Sequence, residues 1–375
     1  MITHLRIRNF KSHADTALRL SNLSVICGQN GVGKSSVFQS LLALRQSQLK
    51  NRLREGLDLN KPLCELGTAL DVLHQFAQEE QIGISVEADG RLFEWGFAFD
   101  SSYAGATFIP AAASIPAALP SLALFNEHFQ YLSAYRLPPQ ESYPRDDYEV
   151  QRNRQISIEK GKGELVAHFL QYYGGDQISF PNLLNPGSPF SELLAQTTAW
   201  EREISTHIHV VVYDTGRGFE LKYKYDVPNA LPTNEFRAEN VGFGITYTLP
   251  LIVAMLAAKP GSLLLFENPE AHLHPQSQSK LAELMCRCAQ NGVQILVETH
   301  SDHILNGILV ACKRFEQDGQ GIDRDLVRIH YFDRDDYTHS TRATEIQVLP
   351  GGKIDRQPGG FFDQIEKDMR TILGF

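Results

Sequence analysis

At 375 residues, 42% of them hydrophobic and 21% charged, the chain can build one large or two medium domains around a substantial core, and its composition excludes disorder, collagen-like repeats and a disulfide scaffold. A net charge of −9 argues against a uniformly basic nucleic-acid coat, although it leaves room for local basic patches. No apolar run reaches the ~18 residues of a membrane span; the best attempt, residues 249–258, is too short and contains Pro250.

Residues 2–8 alternate apolar and polar positions, as a half-buried strand does, and 17–20 supply an antiparallel neighbour. Residues 23–27 form a short apolar run into Gly28, a buried strand feeding a tight turn. Val37, Leu41, Leu42 and Leu44 then recur at helical spacing across 34–49. Residues 82–87 and 91–99 flank Ala88-Asp89-Gly90 as a hairpin. The Ala- and Pro-rich stretch 104–122 reads as an irregular connection. Helices are predicted at 163–174 and 189–205, and a second hairpin at 210–213 and 219–225.

Beyond residue 240 the pattern sharpens. A helix over 245–258, a buried strand at 262–266, a helix at 275–290, a second buried strand at 293–297 and a helix at 302–313 follow in turn. Short strands near 327–332 and 344–348 and a terminal helix from about 361 close the chain. Strands alternating with helices imply a parallel sheet with right-handed crossovers. The expected organisation is an N-terminal lobe over 1–100, an inserted helical and β-hairpin region over 101–239, a C-terminal lobe over 240–325, and terminal strands and a helix of unknown function over 326–375.

Gly28-Gln29-Asn30-Gly31-Val32-Gly33-Lys34-Ser35 satisfies Gly-x-x-x-x-Gly-Lys-[Ser/Thr] between a predicted strand and a predicted helix. Glycines let backbone N–H groups wrap a polyphosphate, and the helix presents its N-terminal dipole to the anion. Lys34 is the candidate for the β- and γ-phosphates and the Ser35 hydroxyl for Mg²⁺. Gly28, Asn30, Gly31, Gly33, Lys34, Ser35 and Ser36 are therefore the expected ATP-binding residues.

A phosphate loop needs an acidic partner to hold its Mg²⁺ from the other side. Ser262-Leu263-Leu264-Leu265-Phe266-Glu267 ends a buried strand in a carboxylate, so Glu267 is the expected second metal ligand beside Ser35. Asn268-Pro269-Glu270 follow, and Glu270 is the candidate to polarise the attacking water. The next strand ends in Glu298-Thr299-His300-Ser301. A polar cluster at a strand's carboxyl end sits where open α/β sheets bind ligands, and His300 is the candidate sensor of the γ-phosphate. A competing reading gathers His272, His274, His300 and His303 with Asp302 and Glu270 into a transition-metal centre. Ser301 lacks the Gly-x-Ser-x-Gly elbow of a nucleophile.

Leu5-Arg6-Ile7-Arg8-Asn9-Phe10-Lys11-Ser12 resembles the opening strand of the SMC and RecF-like ATPases. The phosphate loop, Glu267-Asn268-Pro269-Glu270-Ala271-His272-Leu273-His274-Pro275 and Glu298-Thr299-His300-Ser301 look like the overcoming-lysogenisation-defect type of ABC-like ATPase. The resemblance implies an α/β P-loop NTPase with an ABC-type head: a mixed sheet with antiparallel N-terminal strands and helices on both faces. It also implies a homodimer on ATP binding, in which each site is completed by a signature element of the opposite subunit. Asn240-Val241-Gly242-Phe243-Gly244-Ile245 is similar to that element, which makes Asn240, Gly242 and Gly244 trans ATP-binding candidates, although the usual Ser-Gly-Gly is absent. Gly359-Gly360-Phe361-Phe362-Asp363-Gln364 resembles a C-terminal segment of unknown function in such ATPases. Tyr131-Leu132-Ser133-Ala134-Tyr135-Arg136 is similar to a family strand near the nucleotide, with Arg136 a possible phosphate contact.

These features lead to an ATPase acting with an effector protein in DNA repair or anti-phage defence. Two alternatives stand beside it: a metal-dependent nuclease or phosphohydrolase using the histidine cluster, and a nucleotide-dependent scaffold with negligible turnover. Asn268 stands where many relatives place a catalytic glutamate, so turnover is expected to be slow with Glu270 as residual base. Nucleic acid is a possible partner through Arg45, Lys50, Arg52 and Arg54, or through Arg145, Arg152, Arg154, Lys160 and Lys162. No membrane association is expected. Five scattered cysteines make a disulfide framework unlikely, Cys286 and Cys288 amount to half a zinc site, and the N-terminus lacks the apolar stretch of a secretory signal. A cytoplasmic location follows.

Overall fold

The computed structural model describes residues 1–112, 121–359 and 364–374. In chain order the elements are β1 (Ile2–Phe10), β2 (His13–Arg19), β3 (Leu23–Gly28), α1 (Lys34–Leu49), β4 (Gly56–Asp58), α2 (Ala69–Val72), β5 (Gln81–Ala88), β6 (Arg91–Ala98), β7 (Phe108–Pro110) and β8 (Phe129–Leu132). The middle continues with α3 (Val166–Tyr173), α4 (Leu193–Glu201), β9 (Ile208–Asp214), β10 (Phe219–Tyr225) and β11 (Phe236–Arg237). Then come α5 (Phe243–Leu256), β12 (Leu263–Glu267), α6 (Pro275–Gln290), β13 (Gln294–Glu298), α7 (Asp302–Asp318), β14 (Val327–Arg334), β15 (Thr341–Ile346), β16 (Val348–Leu349), β17 (Lys353–Ile354) and α8 (Gln364–Leu373).

The mixed α/β architecture is present, with its strands divided between sheets. A six-stranded sheet runs β15-β14-β3-β13-β12-β8 and is parallel except for the edge strand β15. The N-terminal antiparallel strands form a separate sheet, β2-β1-β5-β6, so only β3 of that region enters the parallel one. The strand β8, from the middle of the chain, closes the far edge of the parallel sheet beside β12. Residues 104–122, expected to be irregular, contain the short strand β7, and 113–120 lie outside the described residues. The tail motif at 359–364 also falls largely outside them.

Alternation along the central strands explains the layering. Leu264, Phe266, Ile295 and Val297 face a core shared with α3, α4, α5, α6 and α7. Leu263, Leu265 and Leu296 face a second core with α1 and the antiparallel sheet. Burial on both faces accounts for the near-continuous apolar runs of β12 and β13, and helices cover both sides. The layering brings the carboxyl ends of β3, β12 and β13 to one edge, where their polar tips meet. Among the described residues no helix is long and apolar enough to cross a membrane, and all five cysteines are buried and free.

Candidate nucleotide site

The turn after β3 uses glycine where a side chain would collide. At Gly28 (φ 138°) a Cβ would lie 2.2 Å from the Phe332 carbonyl oxygen on β14. At Gly33 (φ 97°) it would lie 2.4 Å from both Ser12 Oγ and Thr341 Oγ1. The loop is braced from behind by the same residues. Thr341 donates to the Val32 carbonyl at 2.8 Å, and the Ser12 and Thr341 hydroxyls meet at 2.7 Å. His13, buried at the β1–β2 turn, lies 3.0 Å from the Gly33 carbonyl through Nε2 and 2.9 Å from Thr16 Oγ1 through Nδ1. Those partners fit a neutral ring that donates from Nε2 and accepts at Nδ1, and burial pushes its pKa down to about 4.

A cavity of about 880 Å³ opens in front of the loop. Asn30, Gly31, Gly33, Lys34, Ser35 and Ser36 line it from the loop and α1, facing Glu267, Asn268, Glu298 and His300 from the strand ends. Lys34, 4% exposed, turns back to donate to the carbonyls of Gly28 (3.0 Å) and Gln29, and burial lowers its pKa. The Ser35 hydroxyl donates to Glu298 Oε1 at 3.0 Å. Glu267 accepts from the Tyr131 hydroxyl at 3.1 Å and from the Ala134 N–H at 3.3 Å. Burial raises the pKa of Glu267, and burial together with the neighbouring Glu267 pushes Glu298 up to about 7. Partial burial and the Lys34 charge hold His300 below its ordinary value.

Several expected residues sit elsewhere. Glu270 does not line the cavity: its two oxygens accept from the Thr299 hydroxyl and the His300 N–H, each at 2.8 Å. It braces the loop that carries His300, and both of its oxygens are taken. Asn268 does line the cavity, with a left-handed backbone (φ 44°) and a buried side-chain oxygen that has no partner. Asn240, Gly242 and Gly244 lie outside the lining, around the exposed start of α5, where a Cβ on Gly244 would press 2.7 Å from the His272 carbonyl.

Arg136 is not a phosphate contact. It is 2% exposed, and its guanidinium donates to the carbonyls of Ser133, Tyr247, Glu267 and Asn268 while stacking over the Tyr247 ring at 4.7 Å. The histidine cluster does not assemble: no group of three or more His, Cys, Asp or Glu side chains converges on a metal position among the described residues. His272 packs against Phe243 and Tyr247, His274 caps α6, and Ser301 caps α7. Most members of the two basic groups are buried or paired with acids, and Lys160 and Lys162 line the cavity. Arg45 is buried against backbone carbonyls, Lys50 and Arg52 pair with Asp58, Arg145 with Asp214, Lys160 with Glu65, and Lys162 with Glu159.

The sequence patterns name Tyr131 and Glu298 only as members of strand motifs, without a role of their own, and leave out the bracing residues His13 and Thr341. The polar end of β13 was the one visible signal for Glu298.

Residues 1–102 match the family described as "AAA ATPase domain", and residues 214–306 match "AAA domain, putative AbiEii toxin, Type IV TA system". Residues 322–372 match "Protein of unknown function (DUF3696)". No curated protein matches the chain. Among solved structures, the Smc head bound to the C-winged helix domain of ScpA is 13% identical at a TM-score of 0.55, over 92% of this chain and 98% of that one. The Smc head with an extended coiled coil, bound to the C-terminal domain of ScpA derived from Pyrococcus furiosus, is 12% identical at a TM-score of 0.54, over 100% and 98%. At such identities the likeness is one of fold. The chain has the fold of an Smc head domain, a P-loop NTPase fold. Residues 1–102 and 214–306 carry ATPase-domain sequence, and a segment of unknown function follows at 322–372.

The His13 brace predicts a pH dependence. Because the folded pKa of about 4 lies below the unfolded value of ~6.5, the unfolded chain binds more protons between them. The stability from His13 is thus full above pH ~6.5 and is lost as pH falls through about 4. His13→Gln should flatten that part of the profile in urea unfolding followed from pH 7 to 4, and a profile identical to wild type would remove His13 from the account.

Proposed function

We propose that the chain binds ATP with Mg²⁺, hydrolyses it slowly, and dimerises when ATP-loaded to act as a nucleotide switch on an effector protein in DNA repair or anti-phage defence. The observation that carries the ATPase reading is the convergence of the glycine loop, Lys34, Ser35, Glu267 and His300 on one cavity of about 880 Å³. That volume is ordinary for a ligand of nucleotide size.

The residues present fit a divalent cation. Glu298 Oε2 and Asn268 Oδ1 are buried acceptors without donors on two residues that line the cavity, and the Ser35 hydroxyl donates to Glu298 Oε1. A bound Mg²⁺ would supply neutralisation of charge on the terminal phosphates. Ser35 and Glu267 are the residues that would hold it. The loop N–H groups and the start of α1 receive the phosphates, and Lys34 exchanges its loop carbonyls for them. His300 stands at the carboxyl end of β13, held there by Glu270, and reads the terminal phosphate.

Slow hydrolysis follows from Asn268 and Glu270. An amide orients a water but takes no proton from it, and Glu270 is engaged through both oxygens. The same two observations favour the second reading, a scaffold with negligible turnover. The exposed Asn240–Gly244 segment at the start of α5 lies outside its own subunit's cavity, which supports its use by the opposite subunit. The "AbiEii toxin, Type IV TA system" description of one matched family and the ScpA-bound Smc heads support a role in defence and the use of a protein partner.

Three measurements test this reading. Lys34→Ala should abolish ATP turnover with the fold intact by circular dichroism; turnover equal to wild type would refute the site. Asn268→Glu should raise turnover by on the order of 10²-fold if a base is what is missing. Its left-handed backbone costs that variant ~1–2 kcal/mol, so stability is recorded alongside, and an unchanged rate in a folded variant would favour the scaffold. For the dimer, Gly242→Leu is the informative change, because a Cβ there meets only Ile245 Cδ1 at 3.9 Å. Nucleotide binding should survive in this variant, while dimerisation and the rise of specific activity with protein concentration should vanish; wild-type activity from a monomer would count against the sandwich.

A further inference from the structure

This inference rests on the nucleotide reading above and concerns how the cation is held. The parallel register sets Glu267 directly beside Glu298, and in-register neighbours on adjacent parallel strands present their side chains to one face. The two carboxylates are satisfied differently. Glu267 uses both oxygens, on the Tyr131 hydroxyl and the Ala134 N–H. Glu298 uses Oε1 on the Ser35 hydroxyl and leaves Oε2 buried with no partner, although the residue is only 5% exposed and lines the cavity. Neither forms an ion pair among the described residues. A buried carboxylate oxygen without a donor is costly, and here it stands next to the phosphate-loop hydroxyl, whose lone pairs remain free while its proton is donated to Glu298.

We propose that Glu298 is a second carboxylate of the divalent-cation site, so that the ion is held among Ser35, Glu267 and Glu298 together with the nucleotide phosphates. Mg²⁺ typically takes one or two carboxylates plus phosphate oxygens and keeps several waters, which agrees with the lack of a three-residue cage among the described residues. Both carboxylates sit at the ends of buried strands, so their spacing is fixed before the ion arrives.

The test uses the full chain, a non-hydrolysable ATP analogue and Mn²⁺ as the probe, with metal affinity read by electron paramagnetic resonance. Glu298→Gln should weaken Mn²⁺ binding about 10–100-fold, as Glu267→Gln should, while binding of the analogue in chelator is retained. Without ligand, the thermal midpoint of Glu298→Gln should equal or exceed wild type, because one of two adjacent buried carboxylates has been neutralised; Glu298→Asp should recover part of the Mn²⁺ affinity. Wild-type Mn²⁺ affinity in Glu298→Gln, with loss in Glu267→Gln, would overturn the proposal and leave the nucleotide reading standing. A lowered midpoint with a matching loss of metal-free nucleotide binding would also overturn it, making Glu298 a structural residue. If wild type binds neither analogue nor Mn²⁺, both readings fall together.

Discussion

The site depends on one unfavourable juxtaposition: two glutamates paired in register at the ends of neighbouring buried strands. At the ~5 Å spacing of adjacent strands and an effective dielectric near 20, two ionised carboxylates repel by about 3 kcal/mol. The fold responds with hydrogen bonds rather than ion pairs. Tyr131 and the Ala134 N–H serve Glu267, and the Ser35 hydroxyl serves half of Glu298. Lys34 is close enough to act on Glu298 electrostatically, but it spends its hydrogen bonds on the Gly28 and Gln29 carbonyls. Burial first, and then the negative charge of Glu267, draws Glu298 up to about 7. The cavity is thus organised around a charge imbalance, and the strands that impose it also keep it from relaxing.

Arg136 does the complementary work on the backbone. A buried guanidinium costs desolvation, and this one recovers it through four carbonyls and a tyrosine face. Two of those carbonyls belong to Glu267 and Asn268, so the loop leaving β12 is held at the residue whose backbone is left-handed. A third belongs to Tyr247 of α5, whose own hydroxyl returns to the Ala134 carbonyl at 3.0 Å. The end of β8, the end of β12 and the first turns of α5 are therefore tied through one side chain, and no one of them can shift without leaving a buried donor unpaired.

Most of this frame was legible in the sequence, and the exceptions share a cause. The helices at 34–49 and 275–290 and the strands flanking them were readable because both faces of the sheet are buried, which forces continuous apolar runs bounded by polar turns. The strand β8 was harder, since it carries Gln130 and Tyr131 among its four residues and borders the cavity. Which residues would gather at the site followed from strand ends, but their bonding did not. Periodicity says where a side chain emerges, not whether Glu270 spends its oxygens on Thr299 and His300, or whether Arg136 faces phosphate or carbonyls. The basic clusters behave alike: composition counts charges, and only the fold shows that Lys50 and Arg52 pair with Asp58 and Arg145 with Asp214.

The charge imbalance also constrains the order of events in the cavity. A polyphosphate entering without a cation would bring more negative charge against Glu267 and Glu298, opposed by Lys34, the loop N–H groups and the lysines Lys11, Lys160 and Lys162 that also line the cavity. A cation entering without phosphate would find two carboxylates and a hydroxyl, too few ligands for Mg²⁺ unless water completes its shell. On the proposed reading each is the better guest in the other's presence, so their affinities would be linked, and by thermodynamic reciprocity each would strengthen the other by the same factor. The linkage does not require the protein to change shape. It follows from placing a phosphate loop opposite two like charges on strands too well packed to move apart.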